Sequence, residues 1–126
     1  MNYRLKLTEQ THLYFKEIAN STHITPNILA RFAVGISLKN EKTPSSVKGQ
    51  PISNFEINRA TLTGEHDEMF KMMILQHAKR HIEEERYFPD YFNAHITRGA
   101  EELYQMFQFS RSTNQFLREL LALQEG

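Results

Sequence analysis

Cysteine and tryptophan are both absent from the 126 residues, and glycine and proline are scarce, at five and four. Without cysteine, the chain has no disulfide, thiolate metal site or cysteine nucleophile. There is no run of 18 uncharged apolar residues, so a membrane span is not expected. Because no apolar signal core follows Met1, we expect a cytoplasmic protein. The chain also lacks a glycine-rich phosphate loop and a nucleophile-elbow motif, so nothing argues for an enzyme or a cofactor.

Positive and negative charges are equal in number but are distributed unevenly along the chain. Fifteen basic and fifteen acidic residues give a net charge of zero. The part up to Arg59 holds eight basic and four acidic residues, whereas the remainder holds seven basic and eleven acidic ones. A basic front half can follow phosphates while the acidic half faces elsewhere, although an ordinary mixed surface would show the same counts.

The hydrophobic pattern predicts a mostly α fold in one compact helical domain, with one or two short strands. Residues 3–7 alternate between apolar and basic side chains, which is typical of a strand with one buried face. Thr8 then offers a cap for a first helix. A second helix over Thr25–Leu38 follows after a short turn. The chain therefore begins with a strand–helix–helix unit. Its strand must pair with another strand of this chain or of a second copy.

The helix over Thr25–Leu38 is expected to form the core of the first half. Thr25 can cap it, and Pro26 fits its first turn. Apolar residues recur at helical spacing and form a stripe along the core face, made of Ile28, Leu29, Phe32, Ala33 and Ile36. Gly35 costs about 1 kcal/mol in a helix interior, which suggests that another backbone passes close by. We interpret this helix as the buried seam of an oligomer.

Farther along the chain, residues 39–54 have loop composition and residues 55–62 alternate as a second strand or an extended arm. A long helix is predicted from Gly64 to about Phe88, where Pro89 ends it. Another helix covers residues 92–107, and an amphipathic tail helix follows Thr113. We expect a domain at residues 1–109 and a C-terminal amphipathic extension at residues 110–126.

Two groups of residues allow a metal site or a catalytic site as alternatives. His77 and His81 are four residues apart, so on one helix both could reach a metal ion, with Glu65, His66, Asp67 or His95 as further ligands. The glutamate that a zinc-hydrolase helix needs between the histidines is absent, and histidines at the edge of a core explain the pattern. Residues 63–67 could mark an acid–base pair, as in a metal-dependent nickase, but a helix start explains the same residues.

A nucleic-acid surface is the better supported interpretation. Arg4 and Lys6 project from one strand face, and Lys16 lies on the outer side of the next helix. The loop after the second helix carries Lys39, Lys42 and Lys48, which could close around a phosphate backbone. No aromatic side chains are interleaved with these lysines, which favours duplex over single-strand binding. The alternative is that these lysines only keep the protein soluble. The candidate DNA-binding residues are Arg4, Lys6, Lys16, Lys39, Lys42 and Lys48.

Three sequence blocks resemble the DndE family, the small proteins of DNA sulfur (phosphorothioate) modification systems. They are ITPNILAR at residues 24–31, FEINRATLTGEHD at 55–67 and FNAHITRG at 92–99. The resemblance spans residues 3–108. It implies a mostly helical homotetramer that binds double-stranded DNA, preferably nicked, beside the sulfur-transfer enzyme and the ATPase of the modification complex. It also implies that the protein carries none of the sulfur chemistry itself.

A second function class is a transcriptional regulator of ribbon-helix-helix type. There, the first strand pairs with the same strand of a second copy, and Arg4 and Lys6 enter the major groove as base readers.

Overall fold

A two-stranded antiparallel ribbon opens the fold. The computed structural model describes residues 3–125. Strand β1 (Arg4–Thr8) pairs with strand β2 (Ile52–Asn58), with Leu5 opposite Ile57. Leu5 and Leu7 are fully buried while Arg4 and Lys6 face outward, as the alternation of the sequence predicts. The strand partner that β1 requires is therefore supplied by the same chain.

Helices make up most of the remaining structure, which confirms the mostly α class. Two of the segments are very short and connect longer ones. In the described range the helices are α1 (Glu9–Thr22), α2 (Pro26–Leu38), α3 (Arg59–Thr63), α4 (Asp67–Ala78), α5 (Glu84–Arg86), α6 (Phe92–Phe109) and α7 (Thr113–Glu125). A 3₁₀ turn at residues 64–66 joins α3 to α4, and a π turn at residues 87–91 joins α5 to α6. No helix within residues 3–125 is long and apolar enough to cross a membrane.

Helices α2 and α6 pack against each other at the centre of the core. Gly99 on α6 makes this possible, because a Cβ atom there would stand 1.7 Å from the carbonyl oxygen of Ala33. The close approach expected at Gly35 is wrong, since no atom lies within 4 Å of the position that its Cβ would take. The glycine that the packing requires is thus on α6, and Gly35 lies on the exposed side of α2.

Local capping decides where several helices begin. The hydroxyl of Thr8 accepts a hydrogen bond from the Thr11 amide at 3.2 Å, as expected for a cap. Thr25 holds the capping position of α2 but makes no such bond, and its hydroxyl donates to the side chain of Asn27. Asn58 caps α3 by accepting from the Ala60 amide at 2.9 Å. The predicted strand over residues 55–62 is therefore wrong beyond Asn58, where the chain turns into a helix.

The long helix predicted from Gly64 to Phe88 is also wrong. Helix α4 ends at Ala78, and Lys79 adopts a left-handed conformation with φ of 58°. The chain then runs without regular structure to Glu83, with Ile82 buried in the core. The predicted tail helix is present as α7, which buries Phe116 and Leu120.

Candidate nucleic-acid interface

The loop that carries Lys39, Lys42 and Lys48 is tied to α6 by one arginine. The guanidinium of Arg98 donates to the backbone carbonyls of Ser37 at 2.7 Å, Asn40 at 3.3 Å and Lys42 at 2.6 Å. Its Nε also donates to the Ser37 hydroxyl at 2.8 Å. Arg98 thereby joins the last turn of α2 and the first residues of the loop to α6. The start of the loop is held in one conformation by these bonds.

A buried histidine completes this anchor. The Ser37 hydroxyl, which accepts from Arg98, lies 2.8 Å from Nδ1 of His95. His95 is fully buried, and burial lowers its pKa to about 3, helped by the charge of Arg98 and by the neighbouring His77. His95 is therefore neutral at physiological pH, so its Nδ1 can accept a hydrogen bond from the Ser37 hydroxyl. His77 donates through Nε2 to the Asn40 carbonyl at 2.6 Å and fixes the loop from the α4 side.

The three loop lysines lie in different surroundings. Lys39 donates from Nζ to the backbone carbonyl of Leu123 at 2.9 Å, so it is bound to the end of α7. Lys42 is exposed, and Lys48 lies farther along the loop at the rim of a cleft. Neither Lys42 nor Lys48 makes an ion pair with any residue in the described range.

That cleft, of about 350 Å³, separates the loop from the chain that follows α4. Lys48 lies on the loop side, whereas Arg80, Arg86 and Tyr91 lie on the other side. The guanidinium of Arg80 rests over the ring of Tyr91, 5.8 Å from its centre. Asp90 also lines the cleft. Sequence analysis missed Arg80 and Arg86, because a helix continued to Phe88 gives no reason to place them beside a loop some 35 residues earlier.

The two basic residues of β1 lie beside an acidic residue of β2 that offsets their charge. Arg4 and Lys6 both face Glu56 on β2, with nitrogen–oxygen distances of 3.6 and 3.8 Å. The edge of β1 that faces away from β2 is next to α6, where the Asn93 amide donates to the Lys6 carbonyl at 2.9 Å. A ribbon-helix-helix regulator needs that strand to pair with a second copy, so the structure removes the basis for this alternative. Lys16 is exposed on α1, as predicted.

The acidic residues considered for catalysis instead belong to an ion-pair cluster. Arg59, with 12% of its side chain exposed, donates to both carboxylate oxygens of Asp67 at 2.8 and 2.9 Å and to Glu84 at 2.6 Å. Lys71 also donates to Glu84. Hydrogen bonds from Arg59 hold the pKa of the Asp67 carboxyl below its usual value, and the bond from Lys71 does the same for Glu84. Asp67 is thus occupied in joining α4 to α3.

The histidine pair expected on one helix is separated. Helix α4 ends before His81, which lies 3.3 Å from the carboxylate of Glu83, while His77 faces the Asn40 carbonyl. Within residues 3–125, no three histidine, aspartate or glutamate side chains form a group that could hold a metal ion.

An apolar groove lies on the outer side of α2. It has a volume of about 380 Å³. Most of its lining is apolar, but two basic residues also border it; the lining residues are Ile28, Arg31, Phe32, Gly35, Ile36, Lys39, Phe70 and Leu123. Ile28 and Phe32 are half-buried, although the sequence predicted them on the core face. Ile28 and Phe32 of the predicted apolar stripe therefore line this groove, whereas Leu29 and Ala33 are buried in the core.

Comparisons with known proteins agree with the sequence blocks noted above. One solved structure with this fold is DndE from Escherichia coli B7A, described as involved in DNA phosphorothioation modification; it has a TM-score of 0.67 and 24% sequence identity, covering 82% of this chain and 96% of that one. A mutant of DndE with glycines replaced by lysine gives a TM-score of 0.64 at 24% identity, covering 83% of this chain and 99% of that one. A search of curated proteins found no match. The family model for the DNA sulphur modification protein DndE matches residues 4–111, and the chain therefore belongs to the DndE family.

Proposed function

We propose that this protein is a double-stranded DNA-binding accessory subunit of the DNA phosphorothioate modification complex, with a preference for nicked duplex. It works in the cytoplasm beside the sulfur-transfer enzyme and the ATPase of that complex and has no catalytic step of its own. Family membership supports the link to DNA sulfur modification. The observation that carries the DNA-binding proposal is the loop in which Lys42 and Lys48 stand without ion-pair partners among the described residues.

The first part of the loop, up to Lys42, is suited to phosphates because its backbone is already held by hydrogen bonds. Arg98 and His77 hold the carbonyls of residues 37–42, so little further conformational entropy is lost when DNA binds there. Lysines on such a frame act as point charges toward phosphate oxygens and carry no sequence information. We therefore expect affinity that is independent of sequence and falls steeply with salt.

The decisive experiment replaces two loop lysines with glutamate. Lys42→Glu/Lys48→Glu should weaken duplex binding by at least about tenfold at low salt, as fluorescence anisotropy over a salt series would measure. The charge-matched control is Arg111→Glu/Arg118→Glu, which alters two exposed cations near and on α7. Lys39 is left intact because it also holds the end of α7. Equal binding by the two double variants would contradict the proposed role of the loop.

The remaining candidate cations form a weaker second patch in this proposal. Arg4, Lys6 and Lys16 extend the DNA surface along the ribbon and α1, but Glu56 offsets two of them. Exposed pairs of this kind are worth less than about 1 kcal/mol, so DNA phosphates can compete with Glu56 for the same cations.

We also propose that the protein assembles as a homotetramer and that the apolar groove on α2 forms one of the contacts between copies. Burial of the groove side chains against a second copy would remove exposed apolar surface, which favours association. Phe32→Glu places a charge in the groove and should lower the mass measured by light scattering. Leu13→Glu, on an exposed part of α1, is the control. A monomeric wild type at high concentration would contradict this proposal.

The working unit in this proposal is the domain at residues 1–109, and residues 110–126 are an extension packed on it. Helix α7 contacts the domain through Phe116, whose ring meets Phe107 at 5.5 Å between centres, and through the Lys39 bond to Leu123. The family model ends at residue 111, close to this boundary. Residues 1, 2 and 126 lie outside the part that the structure describes.

A further inference from the structure

We propose that the cleft between the α2–β2 loop and residues 80–94 holds one phosphate group, bound by Lys48, Arg80 and Arg86. The inference rests on the proposed DNA-binding function and adds a phosphate subsite with two residues that sequence analysis did not select. The ligand is a phosphate ester of a DNA strand, either an internal phosphodiester or a terminal phosphate.

The cations reach the cleft from opposite sides. Lys48 comes from the loop before β2, whereas Arg80 and Arg86 come from the chain on either side of the buried Ile82. An anion between the two sides would be within the field of all three charges. All three residues line one concave surface, which distinguishes this arrangement from cations scattered on a flat surface.

None of the three charges is neutralised by a neighbour in the part of the chain that the structure describes. Lys48, Arg80 and Arg86 form no ion pair there, in contrast to Arg59 and Lys71, which are engaged by Asp67 and Glu84. Among the described residues that line the cleft, Asp90 is the one acid, so the net charge of the lining is positive.

The geometry of the arginines suits a phosphate. Arg80 rests on the face of Tyr91, which limits the directions that its guanidinium can take. A planar guanidinium donates two parallel hydrogen bonds to a phosphate, which a lysine cannot do. The volume of about 350 Å³ leaves room for an attached sugar as well as the phosphate, and it falls in the usual range for ligand sites of roughly 300–1,000 Å³.

The test compares Arg80→Ala/Arg86→Ala with the wild type on three duplexes: intact, nicked with a 5′-phosphate and nicked with a 5′-hydroxyl. We expect about tenfold weaker binding and a loss of about one unit from the slope of log affinity against log salt. An equal loss on all three duplexes assigns the cleft to an internal phosphodiester. A loss confined to the 5′-phosphate duplex assigns it to a terminal phosphate.

Two further variants separate charge from folding. Arg111→Ala/Arg118→Ala removes the same charge elsewhere and should leave the salt slope closer to that of the wild type. Asp90→Asn removes the acid from the cleft and should tighten binding by about threefold, a gain that a damaged fold would not produce. Thermal unfolding of each variant verifies that it is folded.

The outcomes distinguish this proposal from the one on which it rests. If the wild type binds DNA and the Arg80/Arg86 variant binds as well as its control, the proposed phosphate site is wrong. The proposed DNA-binding function is then unaffected. If the wild type bound none of the three duplexes at low salt, the proposed DNA-binding function would be wrong. The proposed phosphate site, which depends on that function, would then be wrong as well.

Discussion

Gly99 on α6 and Ala33 on α2 are in backbone contact, and a Cβ atom at position 99 would stand 1.7 Å from the Ala33 oxygen and 2.4 Å from its carbonyl carbon. Because the obstacle is backbone, a side-chain rotation cannot relieve it. Helices α2 and α6 would have to move apart, and the core between them would open.

The first prediction concerns this contact. Gly99→Ala should lower the free energy of unfolding by at least about 3 kcal/mol or prevent folding, as urea titration followed by circular dichroism would measure. Gly35→Ala is the matched control on α2, where the added methyl group meets nothing within 4 Å in a single copy of the chain. It should raise stability by up to about 1 kcal/mol through helix propensity. Similar stability in the two variants would contradict the contact.

The second prediction concerns Arg59, which joins α3, α4 and α5. Arg59→Met removes the cation shared by Asp67 and Glu84 and leaves two partly buried carboxylates without it. We expect a loss of about 3 kcal/mol in the free energy of unfolding. The control, Lys6→Met, breaks an exposed pair with Glu56 and should cost less than about 1 kcal/mol. Equal losses would show that the Arg59 cluster contributes no more than a surface pair.

The third prediction concerns pH and the buried His95. Its folded-state pKa of about 3 lies below the ordinary value of 6.5, so between these values the unfolded chain binds a proton that the folded protein does not. The contribution of His95 to stability should therefore be level well above pH 6.5 and fall as the pH drops toward 3, by about 2–3 kcal/mol at pH 4.5. Urea titrations across this range would measure it.

The matched variant for this pH effect is His95→Asn, whose amide oxygen can replace Nδ1 as the acceptor from Ser37. Since asparagine does not titrate, the part of the slope between pH 6.5 and 4.5 that His95 causes should disappear. The slope that remains at lower pH comes from carboxylates such as Asp67 and Glu84, whose pKa values are lowered on folding. An unchanged slope would remove His95 as its source.

The fourth prediction tests the ribbon. Glu56→Gln releases Arg4 and Lys6 from their shared carboxylate and should tighten duplex binding about threefold at low salt. Glu102→Gln changes the net charge equally on an exposed part of α6 and serves as the control. If the two variants bind DNA alike in an anisotropy assay, Arg4 and Lys6 do not belong to the DNA surface.

Local spacing was enough to identify most of the elements. The alternation at residues 3–7, the cap at Thr8 and the apolar repeats of α2, α6 and α7 each reflect contacts within one strand or helix turn. The end of α4 could not be found in this way. Lys79 is neither glycine nor proline, yet it adopts a left-handed conformation where Ile82 enters the core and Glu84 meets Arg59.

The chain alone therefore specified a mostly helical protein with a strand–helix–helix start, its family, and basic side chains in the α2–β2 loop. Tertiary structure decided which glycine lies at the helix contact, which cations are neutralised, and that Arg80 and Arg86 face Lys48 across a cleft. The reason is physical. Helix periodicity and capping depend on neighbours three or four residues away, whereas ion pairing and cleft formation depend on segments that meet only when the core is packed.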